Sequence, residues 1–151
     1  MSPRKASESG AQARILLVED NANGLKARRT LLEELGYRIS TGTNGEDALD
    51  HFNRQKFDLV VTDYKMPRMD GLELIALLRK KSPSLPIILI SGYAETLGLN
   101  EANTGADAVI QKSANEVSHL TRAVARLLKQ KPARKPPDYQ PLPLKAKRKS
   151  V

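Results

Sequence analysis

Four short apolar runs are each followed by a residue that could do chemistry. Glu19 and Asp20 follow ILLV at 15–18, Asp63 follows FDLVV at 57–61, Ser91 and Gly92 follow IILI at 87–90, and Lys112 follows AVIQ at 108–111. Such runs read as strands, and in an open parallel sheet ligands bind outside the carboxyl ends of the strands, near the point where the strand order reverses. Three carboxylates, one hydroxyl and one ammonium would then share one rim of the sheet. Like charges raise each other's pKa, so three neighbouring carboxylates cannot all stay ionised without a cation. A hard divalent ion with oxygen ligands resolves this. Mg²⁺ commonly takes one or two carboxylates with waters and phosphate oxygens, which suits the set better than an all-protein cage. With Mg²⁺ present the three carboxylates and Lys112 balance to zero, and the site is ready to receive a phosphoryl group.

The elements that must position these residues alternate along the chain. ILLV, FDLVV and IILI are nearly continuous apolar runs, the mark of strands buried on both faces, while YRIS at 37–40 and AVIQ at 108–111 are weaker and fit edges. Between them the pattern predicts helices over 22–35 (stopped by Gly36), 45–54, 71–81 (stopped before Pro83), a short polar helix near 95–103, and 115–130. Thr43 with Glu46, Asp70 with Glu73, and Ser113 with Glu116 have capping-box spacing. Asn21 is a further candidate cap. The last helix carries Val117, Leu120, Val124, Leu127 and Leu128 at three-and-four spacing, a stripe expected to face the sheet. This βαβα alternation predicts an α/β fold, a doubly wound five-stranded parallel sheet with helices on both faces.

Composition narrows the chemistry. The chain has 151 residues, 40% hydrophobic and 28% charged, enough for one core of ordinary proportions. It contains no cysteine and only two histidines, His51 and His119, which removes thiol nucleophiles, disulfides and Cys- or His-rich metal sites. Both histidines are expected to be exposed helical residues without a role. Apolar runs such as Leu74 to Leu78 fall far short of the roughly 18 residues that span a bilayer, and the first thirteen residues lack the apolar stretch of a secretory signal. The default expectation is a cytoplasmic location. The net charge of +8 points at first to an anionic partner. Its distribution says otherwise: residues 1–13 carry two basic and one acidic residue, 14–128 carry fifteen of each sign, and 129–151 carry eight basic and one acidic. The basicity is a tail. That tail, with five of the nine prolines and few large apolar side chains, cannot offset its ordering entropy, so 1–13 and 129–151 are read as disordered tails around one domain at 14–128.

With the string VVTDYKMPRMDG at 60–71, the ILLVED start, the Ser91-Gly92 strand end and GADAVIQK ending at Lys112, residues 14–128 resemble the receiver domain of bacterial two-component response regulators, of the stand-alone type. The resemblance implies a flavodoxin-like fold of strand order 2-1-3-4-5. It also implies Asp63 as phosphoacceptor, Mg²⁺ held by Glu19, Asp20, Asp63 and the backbone carbonyl of Lys65, Ser91 donating to a phosphoryl oxygen, and Lys112 offsetting its charge. Lys65 and Tyr93, two residues beyond the phosphoacceptor and the hydroxyl, occupy the positions that tune phosphoryl lifetime. The implied donor is a phosphohistidine on a sensor histidine kinase or a histidine phosphotransfer protein. Output would pass through contacts with a downstream protein, and dimerisation on phosphorylation is left open. The chain would be a signalling receiver, not an enzyme beyond its own phosphorylation and slow dephosphorylation. Asp70 is assigned to a helix cap and stays outside the site. Met66 and Pro67 shape the loop, and Gly71 permits close packing.

Two positions depart from the family pattern. Val109 stands where an aromatic switch residue is usual, and Ser113 follows Lys112 where proline is usual; a cis bond before serine would cost about 3 kcal/mol, so the loop is expected in trans. Three other readings compete. In one, a degenerate receiver acts as a phosphorylation-independent binding module, and Lys145, Lys147, Arg148 and Lys149 contact nucleic acid or an anionic membrane. A phosphatase of the haloacid dehalogenase type needs a second acid two residues after the nucleophile, where this chain has Lys65. A flavodoxin-type cofactor protein would need a Gly- or Ser-rich phosphate loop after the first strand, which is absent.

Overall fold

The structure, a computed structural model, describes residues 12–129. Within them the chain runs β1 (Arg14–Val18), α1 (Ala22–Glu34), β2 (Arg38–Gly42), α2 (Gly45–Arg54), β3 (Leu59–Asp63), α3 (Gly71–Lys81), β4 (Ile87–Ser91), α4 (Ala94–Leu97), α5 (Glu101–Thr104), β5 (Ala108–Gln111) and α6 (Glu116–Lys129). The five strands form one parallel sheet in the order β2-β1-β3-β4-β5. The α/β, flavodoxin-like expectation holds, with the weakly apolar strands at the edges. The segments at 1–11 and 130–151, most of the expected tails, lie outside the described residues; Lys129 is helical.

Strand alternation divides the sheet between two cores. Leu16, Val18, Val60, Ile87 and Leu89 pack on one face with Leu74, Ile75 and Leu78 of α3. Ile15, Leu17, Leu59, Val61, Ile88 and Ile90 pack on the other with Leu32 of α1 and Leu120, Val124 and Leu127 of α6. Every residue of β3 and β4 is buried, so truncating any of their large side chains to alanine is expected to cost about 2–5 kcal/mol.

Several element boundaries differ from the sequence reading, each for a local reason. β3 begins and ends two residues later than expected. Register pairs Leu59 with Ile15 and Asp63 with Ile90, so the ladder carries the polar Thr62 and Asp63 into the strand while Phe57 and Asp58 precede it. The N-cap of α2 is Asn44, not Thr43: Asn44 Oδ1 accepts from the Asp47 amide at 2.8 Å, and Asp47 reaches back to the Thr43 amide at 3.1 Å. Asp70 and Glu73 do form the expected reciprocal cap. Ser113 does not pair with Glu116 in that way. Its hydroxyl accepts from the Asn115 amide, and the Glu116 carboxylate turns to Arg28.

The helix expected near 95–103 is two short helices. Gly98 closes the first in the left-handed region at φ 66°, and Asn100 and Asn103 cap the second reciprocally. In α6 burial begins only at Leu120, one turn in, so Val117 is 58% exposed and Ala123 takes a place in the stripe. His119 is exposed, whereas His51 is half-buried beside Asp47 at 3.8 Å. All peptide bonds of the described residues are trans. Among those residues no helix is long and apolar enough to cross a membrane.

Candidate functional site

The strand ends deliver the predicted residues to one rim. Glu19 extends β1 by one step, its amide donating to the Gly42 carbonyl at 3.0 Å, and it is buried at 2% exposure. Asp20, next in line, is exposed. Asn21 then starts α1, its side chain accepting from the Gly24 amide at 2.8 Å while its own amide donates to Glu19 Oε2 at 3.3 Å. One residue thus caps the helix and holds the neighbouring carboxylate.

Asp63 ends β3 at 6% exposure. Its Oδ1 accepts from the Tyr64 amide at 3.0 Å, and Lys112 Nζ lies 3.1 Å from Oδ1 and 3.3 Å from Oδ2. Lys112 reaches it across β4, because the Lys112 amide continues the ladder onto the Ser91 carbonyl at 3.0 Å. Ser91 is buried, and its Oγ accepts from the Tyr93 amide at 2.8 Å, so the hydroxyl proton is left to donate.

The loop after Asp63 closes only because position 71 is glycine. The Gly71 amide donates to the Tyr64 carbonyl at 2.7 Å, and a Cβ there would stand 2.4 Å from the Asp63 carbonyl oxygen. Met66 is buried in the loop, and Arg68 holds a positive φ of 66°.

Carboxylate oxygens of Glu19, Asp20 and Asp63 all lie within 4.8 Å of one another. Burial, then the Asp63 charge, pushes the Glu19 carboxyl above its ordinary range, and Arg28 and Lys112 oppose the rise. A hard divalent cation fits this donor set: clustered carboxylates of like charge, two of them buried, beside ammonium and guanidinium groups that neutralise only part of the charge.

Arg28 is the member that sequence reasoning missed. Its guanidinium donates to Glu19 Oε1 from Nη1 and to Glu116 Oε2 from Nε, the latter at 2.6 Å. Burial would lower its pKa, but the Glu116 hydrogen bond and the charges of Glu116, Glu19 and Asp63 outweigh that and raise it. The available signal was Gly24, a glycine inside a helix one turn before a long cation.

Lys65 and Tyr93, two residues beyond Asp63 and Ser91, meet each other. Tyr93 packs edge-on to Tyr64 with centroids 6.4 Å apart, and Lys65 Nζ sits 5.3 Å from the centre of the Tyr93 ring. With Met66, Asp70 and Leu97 they line an open cleft of about 350 Å³ that none of the three carboxylates enters. Val109 is half-buried, packs on the Leu74 face of the sheet, and donates its amide to Glu101 Oε2 at 3.3 Å. Gln111, also unforeseen, ties the start of α4 to β5: its Oε1 accepts from the Glu95 amide at 2.8 Å and its Nε2 donates to the Gly92 carbonyl at 2.9 Å.

The model of the response regulator receiver domain matches residues 15–125. A probable transcriptional regulator, ycf27 of Cyanidium caldarium, is 33% identical over 129 residues, 83% of this chain and 51% of the relative. The response regulator receiver protein CpdR of Brucella abortus is 30% identical over 115 residues, 76% of this chain and 96% of the relative. Against the transcriptional regulators that it matches, the chain spans about half of their length or less. Among solved structures, the response regulator protein TrrA of Thermotoga maritima in complex with Mg²⁺-BeF superposes with a TM-score of 0.70 at 36% identity, covering 77% of this chain and 99% of that one.

Proposed function

Because the chain belongs to the response regulator receiver domain family, we propose that it is a cytoplasmic, Mg²⁺-dependent phosphoacceptor that takes a phosphoryl group on Asp63 from the phosphohistidine of a sensor histidine kinase or histidine phosphotransfer protein. The observation that carries this reading is the placement of the Lys112 ammonium 3.1 Å from Asp63 Oδ1, with carboxylate oxygens of Glu19 and Asp20 within 4.8 Å of the same side chain.

Glu19, Asp20, Asp63 and the Lys65 carbonyl would hold the ion, which when bound neutralises the developing charge on the phosphoryl oxygens. An Asp63 carboxylate oxygen attacks phosphorus in line. The P–N bond to the donor imidazole breaks, its electron pair stays on nitrogen, and nitrogen takes a proton from solvent. Lys112 balances a phosphoryl oxygen and Ser91 donates its hydroxyl proton to another. Positioning and charge stabilisation of this kind carry phosphoryl transfer. Hydrolysis of the acyl phosphate needs a water on the same in-line path, past Lys65 and Tyr93. Lys65 and Tyr93, whose side chains meet with Nζ 5.3 Å from the ring centre, are assigned the tuning of the acyl-phosphate lifetime.

Val109 has no ring to change rotamer, so output is assigned to contacts made around Ser91 and the Tyr93 side of the cleft with a downstream protein. Labelling with a small phosphodonor tests the reading. Wild type should form a Mg²⁺-dependent acyl phosphate and Asp63→Asn none; equal labelling of the two, or none of wild type, would overturn it.

A further inference from the structure

Arg28 is built into the acidic cluster rather than placed near it. Its side chain is 12% exposed and those of its partners Glu19 and Glu116 are 3% and 16%, so the bridge stands largely out of water. The bridge joins the end of β1, the middle of α1 and the first turn of α6, partners that lie 9 and 88 residues from Arg28. Gly24, one turn earlier on α1, makes room for it: a Cβ there would lie 3.1 Å from Arg28 Nη1 and 3.3 Å from the Glu19 carboxylate. Glu116 gives up the reciprocal cap that its spacing from Ser113 would allow in order to bind Arg28.

Both oxygens of Glu19 already have donors, Arg28 on Oε1 and the Asn21 amide on Oε2. A divalent ion at Glu19, Asp20 and Asp63 must share this carboxylate with a like charge. We propose that Arg28 is a positioning residue that acts as an internal competitor for the metal, weakening Mg²⁺ binding through Glu19 and passing metal occupancy to the start of α6 through Glu116. The inference rests on the reading of Glu19, Asp20 and Asp63 as the metal site. As Mg²⁺ draws on Glu19, the guanidinium leans on its remaining anchor, Glu116. By linkage, whatever strengthens the Arg28–Glu116 pair favours metal occupancy to the same degree.

Isothermal titration with MgCl₂ and ¹H–¹⁵N spectra of the full chain at pH 8 test this. Arg28→Met removes one positive charge a few ångströms from the ion, and Mg²⁺ affinity should rise about three- to tenfold. In wild type, Mg²⁺ should shift the amides of Glu116 and Val117 as well as those of Asp20 and Tyr64; in Arg28→Met the Glu116 and Val117 shifts should vanish and the others persist. Arg28→Lys keeps the charge without a fork that reaches both carboxylates, so it should hold affinity within about twofold and lose the Glu116 response. It carries the test should Arg28→Met fail to fold. Unchanged or weaker affinity in Arg28→Met, or a Glu116 response that survives in Arg28→Lys, reduces Arg28 to a structural strut. Absence of Mg²⁺ binding in wild type and variants alike instead removes the metal-site reading, and this inference with it.

Discussion

Lys112 and Asp63 meet at 3.1 Å although 49 residues separate them and a whole strand, β4, lies between theirs in the sheet. The contact needs a long, flexible cation to reach over Ser91 to a buried carboxylate. Lys112→Ala leaves Asp63 facing Glu19 without this counter-charge, and a phosphoryl group arriving there would lack one of its stabilising partners. The expected result is labelling by a small phosphodonor slowed about a hundredfold, with metal affinity raised because the site is more negative. Labelling at the wild-type rate would show that Lys112 takes no part in transfer.

Gly71 controls where that carboxylate points. A methyl group at position 71 would meet the Asp63 carbonyl oxygen at 2.4 Å and Leu89 Cδ1 and Tyr64 Cα at 3.0 Å. Two of these neighbours are backbone and cannot swing away as a flexible side chain would. Gly71→Ala should therefore cost about 3 kcal/mol in urea unfolding, at the upper end of the overpacking range, and should slow labelling even at temperatures where the variant is fully folded. A loss below about 0.5 kcal/mol would mean that the start of α3 shifts freely, against the tight packing described.

The candidate site was legible because of how parallel sheets are built. Strands that all point one way bring their carboxyl ends to one rim, so listing the residue after each apolar run already gathered Glu19, Asp20, Asp63, Ser91 and Lys112 without knowing any contact. What escaped were partners supplied by helix faces. Arg28 reaches Glu116 across 88 residues, and no spacing rule links them. The local rule gave the wrong partner, since Ser113 and Glu116 have capping-box spacing but an arginine binds the carboxylate more strongly than a backbone amide does. Thr43 lost to Asn44 in the same way, through a choice between adjacent caps that propensity hardly separates. The apolar pattern puts β3 two residues early because Thr62 and Asp63 are polar, and only pairing with β1 and β4 carries them into the strand.

Tyr37 offers a check on the opposite edge of the protein. It packs against the Leu32 and Val124 core, and burial raises its phenol pKa above the ordinary 10.0. The folded state then holds the phenolic proton more tightly than the unfolded state does. The associated stability is complete below pH 10 and is lost as pH rises through the folded-state pKa, because there the native protein binds more protons. Thermal unfolding from pH 9 to 11.5 should show wild type losing stability more steeply than Tyr37→Phe. Parallel curves would mean that the phenol is as well solvated as in the unfolded chain.

Arg79 and Asp107 form a further polar contact that the sequence hid, and they separate stability from function. Arg79 lies in the last turn of α3 with its side chain 4% exposed, and its guanidinium donates to the carbonyls of Gly105 at 2.8 Å, Pro83 at 3.1 Å and Leu85, and to Asp107 Oδ2 at 2.8 Å. The same Asp107 oxygen accepts from the Ile87 amide at 2.8 Å, where β4 begins. Arg79→Met would leave three carbonyls without this donor and Asp107 with only the Ile87 amide and no counter-charge, a loss of about 3 kcal/mol. Asp107→Asn keeps an acceptor for Ile87 and Arg79 and should cost about 1–2 kcal/mol. Both residues hold the amino ends of β4 and β5, whereas Ser91 and Lys112 lie at the carboxyl ends, about 15 Å away at 3.3 Å per residue. Urea unfolding should therefore register both changes, while the rate of Mg²⁺-dependent labelling, measured in the cold where both variants are folded, should match wild type. A labelling defect in folded Asp107→Asn would mean that the strand ends are coupled along their length and that the site is not positioned by the carboxyl rim alone.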